Sequence, residues 1–105
     1  MSTSTSTARA LAALGHDARL GVFRLLVKAG DGGLSVGEIG EHMELAPSTL
    51  SHHLRALVDA KLVIQEKRGR EVRNRIDYVE MRGLLDFLSS ECCAGVALNR
   101  RDDAA

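Results

Sequence analysis

No tryptophan occurs in this chain, and its aromatic residues are one tyrosine and two phenylalanines. A core without large rings must be built from Leu, Val, Ile and Ala, and within 105 residues it is modest. Association with a second copy is a natural way to bury more apolar surface. No apolar run approaches the roughly 18 residues of a membrane span. The opening MSTSTSTARA has neither the basic flank nor the apolar stretch of a secretory signal. The sequence therefore points to a cytoplasmic protein with no membrane attachment. Cysteine is scarce too: the only two are adjacent, Cys92 and Cys93, and cannot staple distant segments together. In a reducing compartment they stay thiols. Motifs of catalysis are also missing, since no Gly-rich phosphate loop, HExxH spacing or ordered Ser/His/acid set is present. The chain does not read as an enzyme.

Charge is balanced overall, with 14 basic and 14 acidic residues, but it is unevenly placed. Between Arg55 and Arg75 lie seven basic and three acidic residues, whereas the segment after Tyr78 is acidic. A local anionic partner fits the basic stretch.

Residues 2–7 alternate Ser and Thr, and 1–7 read as a disordered segment; residues 99–105 read as a flexible tail. One domain spans 8–98. Ala8 to Leu14 suits a helix that Gly15 ends. Asp17 is the expected N-cap of a second helix, with Leu20, Phe23, Leu26 and Val27 as its buried face. Gly30 to Gly33 forms a turn. A short helix then runs from about Ser35 to Met43, with Val36, Ile39 and Met43 inward. Ala46 or Pro47 opens the next helix, because proline suits a first-turn position. Leu50, Leu54, Leu57 and Val58 are its apolar stripe, leaving Ser48, Thr49, Ser51, His52 and Arg55 on other faces. Leu62–Lys67 and Val72–Tyr78 alternate as a β-hairpin with a basic tip over 68–71. A long helix is expected from Glu80 to about Leu98, with Met81, Leu84, Leu85, Leu88 and Cys92 on one stripe.

The expected fold class is mainly α with a two-stranded β-wing: a short helix, a turn, a second helix with a polar start, then a basic hairpin. This is a winged helix-turn-helix pattern. Hydroxyls at a helix N-terminus can enter the major groove of double-stranded DNA, where base edges are distinguishable. Arg68, Arg70, Arg73 and Arg75 can meet phosphates or the minor groove. His52 and His53 point about 100° apart on a helix, which argues against a shared metal ion. One of them faces DNA and the other packs inside.

The segment APSTLSHHLRALVDAKLVIQEKRGREVRNRIDY resembles the recognition helix and wing of the ArsR/SmtB transcriptional repressors. ALGHDARLGVFRLLVKAG is similar to the early helix of that family, and the likeness runs from about Ala8 to Cys93. The resemblance implies a homodimer on operator DNA that leaves it when an inducer binds, with the first and last helices as dimer interface. It implies Ser48, Thr49, Ser51, His52 and Arg55 as DNA-reading residues, with wing contacts from Arg68, Arg70 and Arg73. The sensing residues depart from the best-known patterns. LSVGEIGEHM holds no cysteine, and no histidine follows His53 to supply a zinc site on the last helix. What remains is Cys92 with Cys93, a placement that looks like family members carrying a vicinal pair near the C-terminus.

Soft thiolates match soft ions, so this pair suits a trivalent arsenical (arsenite or methylarsenite) or antimonite as inducer, with no permanent cofactor. Other readings of the same residues stand beside it. The thiols can serve a redox-responsive repressor, Cys92 can be a small buried hydrophobe, and the winged helix can be a protein-interaction module.

Overall fold

The structure is a computed structural model and describes residues 4–98. The tail over 99–105 and the first three residues of the expected disordered segment lie outside the described residues. The first helix, α1 (Ser4–Leu14), begins four residues before Ala8. Thr7, Ala10 and Ala13 recur every third position on its buried side, so packing draws Ser4 to Thr7 into the helix. After Gly15 comes α2 (Asp17–Ala29), whose N-cap is His16, not Asp17. Asp17 instead sits in the first turn, where its carboxylate meets the positive end of the helix dipole. Val22, Phe23 and Leu26 form the buried face, while Leu20 and Val27, expected inside, are exposed. Both sets have helical spacing, and the choice between them is made by the elements that pack on α2.

A 3-10 turn over Gly30–Gly32 leads into a two-residue strand, β1 (Leu34–Ser35). Ser35 then caps α3 (Val36–Met43) in a reciprocal box. Its hydroxyl accepts from the Glu38 amide at 3.1 Å, and the Glu38 carboxylate accepts from the Ser35 amide at 2.8 Å. Pro47 opens α4 (Pro47–Asp59), as its missing amide requires no partner in the first turn. Leu50, His53, Leu54 and Leu57 are buried, with Val58 packed at the margin.

Two strands, β2 (Val63–Arg68) and β3 (Glu71–Ile76), pair antiparallel from Val63 opposite Ile76 to Arg68 opposite Glu71. The hairpin turn is therefore Gly69-Arg70, tighter than the tip expected over 68–71. The sheet has three strands, in the order β1-β3-β2, where two were expected. Leu34 lies opposite Asn74 and Ser35 opposite Arg73. A two-residue strand carries no alternation by which a sequence could announce it. Gly33 permits the pairing: its φ is +64°, and a Cβ there would collide with the Asn74 carbonyl.

The last helix, α5 (Tyr78–Ser89), is capped by Asp77, whose side chain accepts from the Glu80 amide. It ends at Ser89, well short of Leu98. The Ser89 hydroxyl donates to the Leu85 carbonyl at 2.9 Å and the Ser90 hydroxyl to the Phe87 carbonyl at 2.7 Å. Such back-bonding competes with helix continuation. Glu91 and Cys93 then adopt left-handed torsions, at φ 59° and 64°. Leu26, Ile39, Leu50, Leu54, Leu57, Leu62 and Ile76 are fully buried, so the core joins α2, α3 and α4 to the base of the hairpin. Leu11 on α1 and Leu85, Phe87 and Leu88 on α5 stay exposed in the single chain. Among the described residues no helix is long and apolar enough to cross a membrane.

Candidate nucleic-acid interface and thiol pair

α4 packs its apolar side on α2 and α3 and turns the opposite side outward. Ser48, Thr49, Ser51, His52 and Arg55 are all exposed on that outer side. Short hydroxyls near the first turn leave the backbone free to approach a surface closely. Arg55, one turn beyond Ser51, can reach further. Ser51 and Arg55 also line an open cleft of about 420 Å³ together with Asp59 of the same helix and Gln65 of β2. Helix and hairpin thus bound one groove.

The two histidines separate as expected. His52 is exposed, while His53 is buried and its Nδ1 has no hydrogen-bond partner. The His53 ring lies 4.8 Å from that of His16 at the head of α2. Burial holds the His53 pKa below the usual histidine value, and the charges of His16, Arg19 and His52 push it the same way. His53 is thus kept neutral beneath the exposed face.

On the wing, the basic residues divide into free and engaged. Arg70 sits in the turn, exposed and with no ion pair among the described residues. Arg68 is exposed and only loosely paired, 3.6 Å from Glu66. Lys67, exposed beside it, was not among the expected contacts; the signal for it lay in the same basic run. Arg75 is bound to Glu66, and that hydrogen bond holds the Glu66 carboxyl below its ordinary range. Arg73, expected as a DNA contact, is turned inward. Its guanidinium donates to Glu38 at 2.8 Å, to Glu71 at 2.9 Å and to the carbonyls of Gly32 and Gly33 at 3.3 and 3.1 Å.

Cys92 and Cys93 lie in the turn after α5, both exposed, with their sulfurs 3.3 Å apart. The expected place of Cys92 on a buried helical stripe is thus corrected, because the helix stops before it. Left-handed torsions at Glu91 and Cys93 bring the two sulfurs to one side, where helical neighbours would diverge. Among the described residues no group of three or more His, Cys, Asp or Glu side chains is placed to hold a metal ion. The pair offers two sulfurs, and among the described residues no third such group stands with them.

A capped helix, a turn, a helix with a polar outer face and a basic hairpin define a winged helix-turn-helix DNA-binding protein. Comparisons agree. A family model described as a helix-turn-helix domain matches residues 14–66. An ArsR-like transcriptional regulator from a Rhodococcus species is 26% identical, with a TM-score of 0.72 over 81% of this chain and 77% of that one. Reduced HlyU from Vibrio cholerae is 30% identical, with a TM-score of 0.67 over 86% of this chain and 92% of that one. A homodimeric winged helix-turn-helix DNA-binding domain from Mycobacterium bovis shares the fold, at 24% identity and a TM-score of 0.65 over 91% of this chain and 89% of that one. Among curated protein sequences none matches significantly. The chain belongs to the ArsR/SmtB family of winged helix-turn-helix transcriptional regulators. Family and fold are those of DNA-binding regulators, which are not enzymes.

Proposed function

We propose that this protein is a homodimeric, cytoplasmic repressor that leaves its operator when a trivalent arsenical or antimonite binds Cys92 and Cys93. The observation that carries the inducer reading is the 3.3 Å separation of two exposed sulfurs on an already bent turn. Methylarsenite needs two thiols. Each As–O bond is replaced by an As–S bond, each thiol proton leaves with a hydroxyl as water, and the methyl group completes the three-coordinate site. Arsenite and antimonite take the same two sulfurs and keep one hydroxyl or recruit an external thiol.

DNA contact falls to Ser48, Thr49, Ser51, His52 and Arg55 in the major groove and to Arg68 and Arg70 on the wing. A two-fold dimer places its recognition helices about 34 Å apart, one turn of the duplex. The exposed apolar residues of α1 and α5 support these helices as the dimer seam, and the relative from Mycobacterium bovis is itself homodimeric. Ligand capture at the end of α5 then shifts one subunit against the other. A coupling of about 1–3 kcal/mol lowers DNA affinity roughly 5- to 150-fold.

The same near-contact of sulfurs supports a second reading, a redox switch. Two thiols would give two electrons and two protons to a hydroperoxide, yielding a disulfide, an alcohol and water. The eight-membered ring so formed is strained, which ranks this reading second.

The test titrates reduced protein, bound to a duplex recovered by in vitro selection, with arsenite, methylarsenite, antimonite and, in a separate arm, a hydroperoxide. Release by arsenicals at one ion per Cys pair supports the first reading. Release by the peroxide alone moves the function to the second.

A further inference from the structure

We infer that Arg73 is a positioning residue that sets the pose of the wing against the recognition-helix unit and does not itself touch DNA; this rests on the DNA-contact reading above. Four of its five N–H donors are directed at partners within the chain: Nε to the Gly32 carbonyl, Nη2 to the Gly33 carbonyl, and Nη1 to both Glu38 and Glu71. The side chain is 22% exposed, against 57% for Arg68. A phosphate contact would first have to break this set.

The partners show what the set joins. Glu71 is the first residue of β3, beside the wing turn. Gly32 and Gly33 form the loop that enters α3. Glu38 belongs to α3 itself, and the same Oε1 that receives Arg73 receives the Ser35 amide of the capping box. One carboxylate oxygen therefore serves both the start of the helix-turn-helix and the wing. The backbone repeats the junction, because Ser35 and Arg73 are paired across β1 and β3. One register further, the Asn74 amide donates to the Leu34 carbonyl and accepts from Gln65 of β2. All three strands are thus tied to the loop before α3, and the exposed cations Arg68 and Arg70 are carried at the far end of that lever. Charge-assisted, multidentate bonds of this kind fix direction as well as distance.

The test is a mutant cycle on DNA affinity with the full-length dimer. Arg73→Gln is expected to weaken binding several-fold in the native background and to cost nothing further when Arg68→Ala and Arg70→Ala are already present, since it acts through them. The salt slope falls by about one for each wing phosphate contact removed, and Arg73→Gln lowers it no further once Arg68→Ala and Arg70→Ala are present. A loss that adds fully to that of the wing pair, or a slope that Arg73→Gln lowers further in the background lacking Arg68 and Arg70, overturns the inference. If Arg68→Ala with Arg70→Ala leaves affinity unchanged, the wing reading itself fails and takes the inference with it.

Glu38→Gln guards against a variant that fails to fold. Glutamine still accepts from the Ser35 amide and keeps the helix cap, but its link to Arg73 loses the charge. Weaker DNA binding is expected although a negative charge has been removed. Tighter binding, as a bare charge argument requires, counts against the inference.

Discussion

The sulfurs of Cys92 and Cys93 stand 3.3 Å apart, three and four residues past Ser89, the last residue of α5. Two soft ligands are thus presented together without helix distortion, at the end of the helix whose Leu85 and Leu88 remain uncovered in the single chain. In the function proposed, this arrangement links a ligand site to a subunit seam, and the expected behaviour of the protein follows from that proposal.

Replacing either sulfur should separate sensing from DNA binding. Cys92→Ser and Cys93→Ser are each expected to bind operator like the native protein and to lose release by trivalent arsenicals. Anisotropy on labelled duplex checks both properties in one titration.

The coupling must also act in reverse. Saturating operator DNA is expected to weaken arsenical binding by the same factor, roughly 5- to 150-fold, by which the arsenical weakens DNA binding. Calorimetric titration of methylarsenite with and without duplex measures the factor.

Arg55 extends from the exposed side of α4, so its removal should affect DNA and nothing else. Arg55→Ala is expected to cost about 1–3 kcal/mol of DNA binding free energy. Its thermal unfolding and arsenical stoichiometry should match those of the native protein.

Folding places a constraint on pH through His53. Its folded-state pKa is lowered, first by burial and then by His16, Arg19 and His52, so the unfolded chain binds the proton more readily. Stability is therefore complete above the ordinary histidine value of 6.5 and declines as pH falls through it towards the lower folded value. Denaturant unfolding between pH 7.5 and 5 should show this decline (roughly the range in which histidine titrates). His53→Gln should flatten it.

Gly33 is expected to tolerate no side chain. Gly33→Ala places a Cβ against the Asn74 carbonyl at a left-handed φ of +64°, and should destabilise by more than the roughly 1 kcal/mol typical of such torsions. Loss of the β1 pairing, read by amide exchange at Ser35, is the accompanying signature.

Much of this arrangement was legible in the residues, because apolar periodicity is a strong signal where one face is buried. The stripe Leu50, Leu54, Leu57 marks α4, and Pro47 marks its start. The polar outer face of α4 emerged by the same subtraction. Periodicity failed where two faces compete: Leu20 and Val27 have the spacing of a core face on α2, yet Val22 is buried in their place. It failed again in α5, where Leu85, Leu88 and Cys92 continue a helical pattern past the point at which the serine hydroxyls and left-handed torsions end the helix. The inward turn of Arg73 was beyond reach for another reason. It depends on a strand of two residues and on loop carbonyls that side-chain types do not encode.

The central claim is that a soft ion held by two neighbouring sulfurs loosens the grip on DNA. Its most direct measurement is the affinity of the fully reduced dimer for its operator, taken with and without saturating methylarsenite at constant salt. A fall of at least about fivefold, absent in Cys92→Ser, is the expected result. Equal affinities in the two conditions would contradict the claim.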